Sequence, residues 1–71
     1  MRGKIIGILI DRGFGYIETP EHPEHLFFHV TDLDISALRW DERLIGREVC
    51  FEVITRNGRE RAVGVRPGTE C

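Results

Sequence analysis

The sequence predicts an all-β fold, a closed or nearly closed five-stranded antiparallel barrel. Short apolar segments rich in β-branched residues alternate with turn signals, and no segment has the spacing of a long amphipathic helix. Asn57-Gly58 separates two alternating segments and is the strongest short-range signal of a hairpin. Closing the sheet would remove exposed strand edges, which suits a chain of 71 residues with a thin core.

The first three strands follow from β-branched and aromatic runs bounded by turns. Ile5–Ile10 is predicted as the first strand, and a turn at residues 11–13 leads to the second strand, Phe14–Glu18. The loop at residues 19–25 contains two prolines, which cannot donate to a ladder. It leads to the third strand, Leu26–Val30.

A long connection and a hairpin complete the predicted sheet. Residues 31–46 have uneven apolar spacing, so we expect at most a turn or two of helix between strands three and four. Arg47–Arg56 alternates strictly: Val49, Phe51 and Val53 share one face, and Glu48, Cys50 and Glu52 the other. The fifth strand is Glu60–Arg66. We expect one domain over residues 1–66 and a flexible tail over 67–71.

The composition excludes several classes of protein. With 41% hydrophobic and 31% charged residues the chain is globular, and its net charge of -2 lacks a strongly basic footprint. The apolar run Ile5–Ile10 is too short to span a membrane. Two cysteines, Cys50 and Cys71, do not make a disulfide framework, so we expect reduced thiols and a cytoplasmic protein. Ser36 is the only serine and has no evident base, so we expect no enzyme.

The segment "RGFGYI", residues 12–17, raises the question of which strand face is buried. Phe14 and Tyr16 share one face, and Gly15 and Ile17 share the other. Burying the two rings is the ordinary interpretation, and composition alone favours it. Burying Ile17 instead would leave two rings in water, which a ligand-binding role would explain.

Several motifs in a fixed order resemble those of the cold-shock domain family. They are Gly3-Lys4, "RGFGYI", "LFFH" at 26–29, "GREVCF" at 46–51 and "AVGV" at 62–65. Together they span about residues 3–66. The resemblance implies an OB-type barrel that binds single-stranded RNA or DNA without a metal or other cofactor.

The resemblance also implies which side chains carry binding. Four side chains would face outward and stack on bases, those of Phe14, Tyr16, Phe27 and His29. We call these four residues the aromatic surface. Ile17, Leu26 and Phe28 would fill the core. Lys4, Arg12 and Arg56 would contact the nucleic-acid backbone. The partner that the resemblance implies is therefore single-stranded RNA or DNA, and we expect the protein to bind it as a monomer.

The first strand departs from the family pattern, which usually has a lysine and a tryptophan where this chain has Ile6 and Gly7. Two functions stay open: weaker single-strand binding, or a module that docks on another protein or the ribosome. Trp40 would either replace the lost ring or cover the end of the barrel. The isoleucines of the first strand would either form a contact patch or be turned into the core by a bulge.

Three histidines, His22, His25 and His29, fall within eight residues. Metal binding could use such a cluster. Two prolines lie among them and no cysteine joins them, so the favoured interpretation is two solvated loop histidines and one histidine of the aromatic surface. No metal site is predicted.

Overall fold

The computed structural model of the protein describes residues 1–71 and is all-β. The strands are β1 (Arg2–Leu9), β2 (Phe14–Glu18), β3 (Leu26–His29), β4 (Glu48–Arg56) and β5 (Arg59–Pro67). The connection between β3 and β4 contains only two 3-10 turns, Val30–Asp32 and Glu42–Leu44, as the sequence predicted. A third, Gly68–Glu70, lies in the predicted tail. No helix in the structure has the length and apolar character needed to cross a bilayer.

The five strands form one sheet that closes in the order β1-β2-β3-β5-β4. Every adjacent pair is antiparallel except β3 and β5, which pair in parallel at Phe27 and Arg61. The prediction of a purely antiparallel sheet is therefore wrong. The reason is geometric: directions cannot alternate all the way around a closed ring with an odd number of strands, so one pair must be parallel.

The β4–β5 hairpin has the turn that the sequence predicted. Asn57 has φ 54° and Gly58 has φ 75°, so both central residues lie in the left-handed region that a type I′ turn requires. The antiparallel ladder of β4 and β5 begins next to this turn, with Arg56 opposite Arg59. The hairpin thus brings several arginines to one end of the sheet.

A bulge in β1 decides which isoleucines enter the core. The register with β2 shifts between Ile5, opposite Ile17, and Gly7, opposite Tyr16. Ile5 is fully buried and Ile8 packs against the core, although a regular strand would place them on opposite faces. The structure thus supports the bulge for Ile8, while Leu9 and Ile10 remain 40% and 38% exposed.

The core is built from the inward faces of all five strands and from the β3–β4 connection. Phe28 and Phe51 are its largest fully buried side chains. The connection adds Leu33, Leu38 and Leu44. Trp40 lies against this core, with its ring centroid 6.1 Å from that of Phe28 and its indole Nε1 donating to the Ile10 carbonyl at 3.4 Å.

The structure joins Cys50 and Cys71 in a disulfide, with Cα atoms 5.5 Å apart. The expectation of reduced thiols is therefore wrong in this structure. The β4–β5 ladder continues to Val49 opposite Pro67, so the last residues turn back over the start of β4, which sequence separation alone did not reveal. Cys50 was predicted on the outer face but is only 4% exposed, and the register of β4 with β5 shifts directly after it.

Flexibility of residues 67–71 stays a prediction, although Pro67 belongs to β5.

Candidate nucleic-acid interface

The aromatic surface lies on the outer face of β2 and β3. Phe14 pairs with His29 across the two strands, and Tyr16 pairs with Phe27. Directly opposite residues of an antiparallel pair project on the same side, so the four side chains form one patch. Tyr16 is 37% exposed and the other three are half-buried. The predicted orientation of these side chains is what the structure shows.

The three benzyl-type rings of this patch contact one another. The Phe14 and Phe27 centroids are 5.3 Å apart with planes 34° apart. Tyr16 meets both rings edge-on, at 5.9 Å from Phe14 and 6.3 Å from Phe27. These separations fall in the range of favourable aromatic pairs, which stabilises a partly exposed cluster before any ligand binds.

Buried residues beneath the patch explain why it faces outward. Ile17, Leu26 and Phe28 alternate with the rings and are almost wholly buried. Gly15 lies between Phe14 and Tyr16, and a β-carbon there would stand 2.6 Å from the Gly7 carbonyl oxygen and 2.9 Å from the Phe28 ring. Only glycine lets β1 and Phe28 approach so closely, so this residue allows the rings of β2 to lie above a packed core.

His29 is held at the edge of the patch by the turn that follows β3. Its Nδ1 accepts the Thr31 backbone N–H at 3.2 Å and lies 2.9 Å from the Thr31 hydroxyl. This bond caps the 3-10 turn Val30–Asp32. Because Nδ1 accepts from the backbone, the ring proton belongs on Nε2 in the neutral form. The imidazole is therefore fixed beside Phe14 rather than free to rotate.

An arginine-rich groove adjoins the patch. Arg61 lies over Phe27, with its guanidinium carbon 5.5 Å from the ring centroid, and pairs with Asp32. The residues lining the groove are Tyr16, Phe27, Arg56, Asn57, Arg59, Glu60 and Arg61. Sequence reasoning named Arg56 but missed Arg59 and Arg61. The hairpin signal could have placed Arg59 opposite Arg56, whereas Arg61 reaches Phe27 only through the parallel β3–β5 pairing.

A family model described as 'Cold-shock' DNA-binding domain matches residues 1–67. The chain belongs to this family. No curated protein matches the sequence. Membership makes the chain a nucleic-acid-binding domain by family, and it confirms the resemblance that the ordered motifs indicated.

Lys4 and Arg12 flank the aromatic surface of this cold-shock domain at different points. Lys4 is exposed and lies opposite Glu18 in the β1–β2 ladder, so an acidic residue projects from the same face of the sheet next to it. Arg12 is exposed in the turn between β1 and β2. Neither makes an ion pair. Arg12 is thus the less encumbered of the two for contact with phosphate.

Trp40 is not part of the aromatic surface of the cold-shock domain. Its ring contacts Phe28, which points into the core, whereas Phe27 points outward from the same strand. Its indole N–H is already used by the Ile10 carbonyl. These contacts support the alternative in which Trp40 covers one end of the sheet.

His22 connects the β2–β3 loop to the hairpin. Its Nε2 lies 3.1 Å from Glu60 Oε1, and its Nδ1 lies 2.8 Å from the Glu24 carbonyl oxygen. The hydrogen bond to Glu60 raises the pKa of His22 above 6.5, and the Glu24 backbone contact raises it further. Glu60 also lines the arginine-rich groove, so this pair bears on the charge of the groove.

The structure gathers no group of three or more potential metal ligands, and His22 and His29 have separate partners.

Proposed function

We propose that this cold-shock domain binds single-stranded RNA or DNA by stacking bases on the aromatic surface. The observation that carries the proposal is the orientation of β2 and β3: Phe14, Tyr16 and Phe27 cluster outward while aliphatic residues of the same strands fill the core. A 71-residue chain gains stability from buried rings, so exposed rings indicate a contact made with a partner.

Single strands fit this surface better than duplexes. Unpaired bases present π-faces to the rings, and each stacked base contributes about 1–3 kcal/mol with little dependence on sequence. Paired bases are stacked on one another and cannot insert. With a net charge of -2, the domain depends more on stacking than on phosphate neutralisation.

The arginines of the β4–β5 hairpin indicate the path of the bound strand over the surface. Arg56 and Arg59 are exposed and unpaired, so their guanidinium groups are available to phosphates entering the groove. The end of β2 and the β2–β3 loop carry Glu18, Glu21 and Glu24 on the surface, and these carboxylates repel phosphate. We therefore place the strand along the aromatic surface toward the hairpin, with Lys4, beside Glu18, at its periphery.

Binding of this kind requires no catalysis, and we propose a cytoplasmic monomer that acts on RNA as a chaperone or regulator. The second candidate is a module that docks on a protein or the ribosome. Exposed Leu9 favours it, because Leu9 pairs with Phe14 and extends the patch with an aliphatic side chain on which bases stack less well than on a ring.

A titration distinguishes the two candidates. Purified protein is titrated with oligo-dT, oligo-U and a duplex of matched length, with tyrosine and tryptophan fluorescence as the signal. We expect saturable binding of at least one single strand and much weaker binding of the duplex. Equal affinity for duplex and single strand, or no binding of any of the three, would contradict the proposal and favour the docking module.

A further inference from the structure

Each sulfur atom of the Cys50–Cys71 disulfide lies beside an arginine. Arg2 Nε donates to Cys71 Sγ at 3.4 Å, and Arg66 Nη2 donates to Cys50 Sγ at 3.6 Å. A guanidinium next to a cysteine sulfur favours the thiolate, which is the attacking species in thiol–disulfide exchange. Arg66 is also paired with Glu52, with its Nη2 2.8 Å from Glu52 Oε2, so the guanidinium without a carboxylate partner is that of Arg2, beside Cys71. The surroundings of Cys71 therefore suit exchange chemistry as well as structure.

The two sulfurs differ in access. Cys71 is exposed, whereas Cys50 is only 4% exposed. A small disulfide in solution can reach Cys71 but not Cys50. The exposed cysteine is thus placed to react first and the buried one to resolve the intermediate.

The disulfide holds the last turn of the chain against the sheet. Arg2 Nη2 donates to the Gly68 carbonyl at 2.6 Å, and a β-carbon at Gly68 would stand 3.3 Å from Glu48. The bond closes a loop between cysteines 21 residues apart. Closing a loop of this size restricts the unfolded chain, and in a small domain that restriction is a large share of stability.

We propose that Cys50 and Cys71 form a reversible redox site that exchanges with low-molecular-weight disulfides of the glutathione type. The oxidised site stabilises the domain and fixes residues 68–71 against β4, and reduction releases them. The site stands apart from the proposed function, because neither cysteine nor its two arginines belong to the aromatic surface or the groove.

Oxidation of the protein by glutathione disulfide proceeds in two thiol–disulfide exchange steps. The Cys71 thiolate attacks one sulfur of glutathione disulfide, forming a mixed disulfide and releasing one glutathione thiolate. The Cys50 thiolate then attacks Cys71 Sγ, forming the Cys50–Cys71 bond and releasing the second glutathione thiolate. The two protons from the protein thiols go to the two glutathione thiolates. The protein is oxidised by two electrons and glutathione disulfide is reduced.

Thermal unfolding in defined glutathione buffers tests the proposal. Free thiols are counted in the same samples, and Cys71→Ser serves as the matched control that cannot form the bond. Oxidation should lower the equilibrium constant of unfolding by about 100-fold. It should raise the melting temperature by roughly 10–20 °C, and return to reducing buffer should reverse the shift. The Cys71→Ser protein should unfold like the reduced wild type in both buffers.

Three results would overturn the proposal. They are a melting temperature that does not depend on the glutathione ratio, two free thiols per chain that persist in excess glutathione disulfide, and disulfides formed only between chains on a non-reducing gel. None of these results bears on oligonucleotide binding, which is measured separately.

The role of the arginines is tested by kinetics. Arg2→Gln removes the charge beside Cys71, and Arg2→Lys keeps it. The rate of reaction with glutathione disulfide near neutral pH should fall several-fold in Arg2→Gln and be largely kept in Arg2→Lys. An Arg2→Gln protein that reacts at the wild-type rate would overturn the assignment of Arg2 as the group that activates Cys71.

Discussion

Gly7 lies directly opposite Tyr16 in the β1–β2 ladder, and apart from Gly7 and its two chain neighbours no residue has an atom within 4 Å of the position that its β-carbon would take. The bulge at Ile6 places Gly7 on the outer face with Lys4 and Leu9 rather than in the core. An open space therefore borders the aromatic surface at the position where the resemblance to cold-shock domains leads us to expect a tryptophan. A side chain added there would project into this open space on the same face as Tyr16.

Gly7→Trp should extend the aromatic surface and tighten single-strand binding. The expected gain is about 1–3 kcal/mol, the contribution of one additional stacked base. An aromatic residue also suits a strand better than glycine, so the fold should be retained. The measurement is the dissociation constant for oligo-dT and oligo-U. Gly7→Ala is the matched control, because it removes the glycine without adding a ring and should bind as the wild type does. A folded Gly7→Trp protein with unchanged oligonucleotide affinity would favour the docking module.

Substitution of two adjacent phenylalanines on β3, Phe27 and Phe28, should distinguish a loss of oligonucleotide binding from a loss of stability. Phe27→Ala, and likewise Phe14→Ala on β2, should weaken oligonucleotide binding by about 1–3 kcal/mol and leave the folded state intact. Phe28 is fully buried, and Phe28→Ala should instead lower the free energy of unfolding by about 3–5 kcal/mol. Binding titrations and denaturant unfolding are measured on all three variants. If Phe27→Ala unfolds the protein as Phe28→Ala does and has no separate effect on binding, the exposed ring is structural.

The dependence of affinity on salt should be shallow. Arg12, Arg56 and Arg59 are exposed cations without an ion-pair partner, so about two to three phosphates are neutralised. The logarithm of affinity should then fall against the logarithm of salt concentration with a slope of about -1.5 to -2. A slope much steeper than this would reveal basic contacts beyond these three arginines.

Single substitutions assign this slope to residues. Arg59→Gln should make it shallower by about 0.7, and Ile6→Lys should make it steeper by the same amount if the new ammonium group reaches a phosphate. Arg43→Gln is the control, because Arg43 is exposed on the 3-10 turn Glu42–Leu44 and does not line the groove. A slope that responds equally to Arg43→Gln and Arg59→Gln would place the strand elsewhere.

Local patterns in the sequence predicted much of the fold and the position of the aromatic surface. Strand alternation and the family motifs placed Ile17 and Phe28 inside and Phe14 and Phe27 outside, because a two-residue period is readable from neighbours in the chain. The Asn57-Gly58 turn was predicted for the same reason, since two residues determine its geometry. These features depend on contacts close in sequence.

The features that sequence reasoning missed depend on how distant strands meet. Arg61 reaches Phe27 only because closure of the ring forces β3 and β5 into parallel pairing. Cys71 reaches Cys50 because the β4–β5 ladder continues to its last pair at Val49 and Pro67. The bulge that orients Ile8 inward was not missed, since it was the favoured one of two alternatives, but only the register with β2 decides between them. The register between strands and the pairing that closes the sheet cannot be predicted from any one local segment of the sequence.

The His22–Glu60 pair should make a small contribution to stability that depends on pH. Its hydrogen bond raises the pKa of His22 above 6.5, so the contribution is complete below that value and is lost as pH rises through the higher folded-state pKa. NMR titration of His22 should give a midpoint above 6.5, and Glu60→Gln should lower that midpoint. Chemical unfolding at about pH 6 and about pH 8 should show a smaller difference in Glu60→Gln than in the wild type. Glu42→Gln, an exposed carboxylate outside this pair, is the control and should change neither measurement. A His22 midpoint that is the same in the wild type and in Glu60→Gln would show that the pair does not persist in solution.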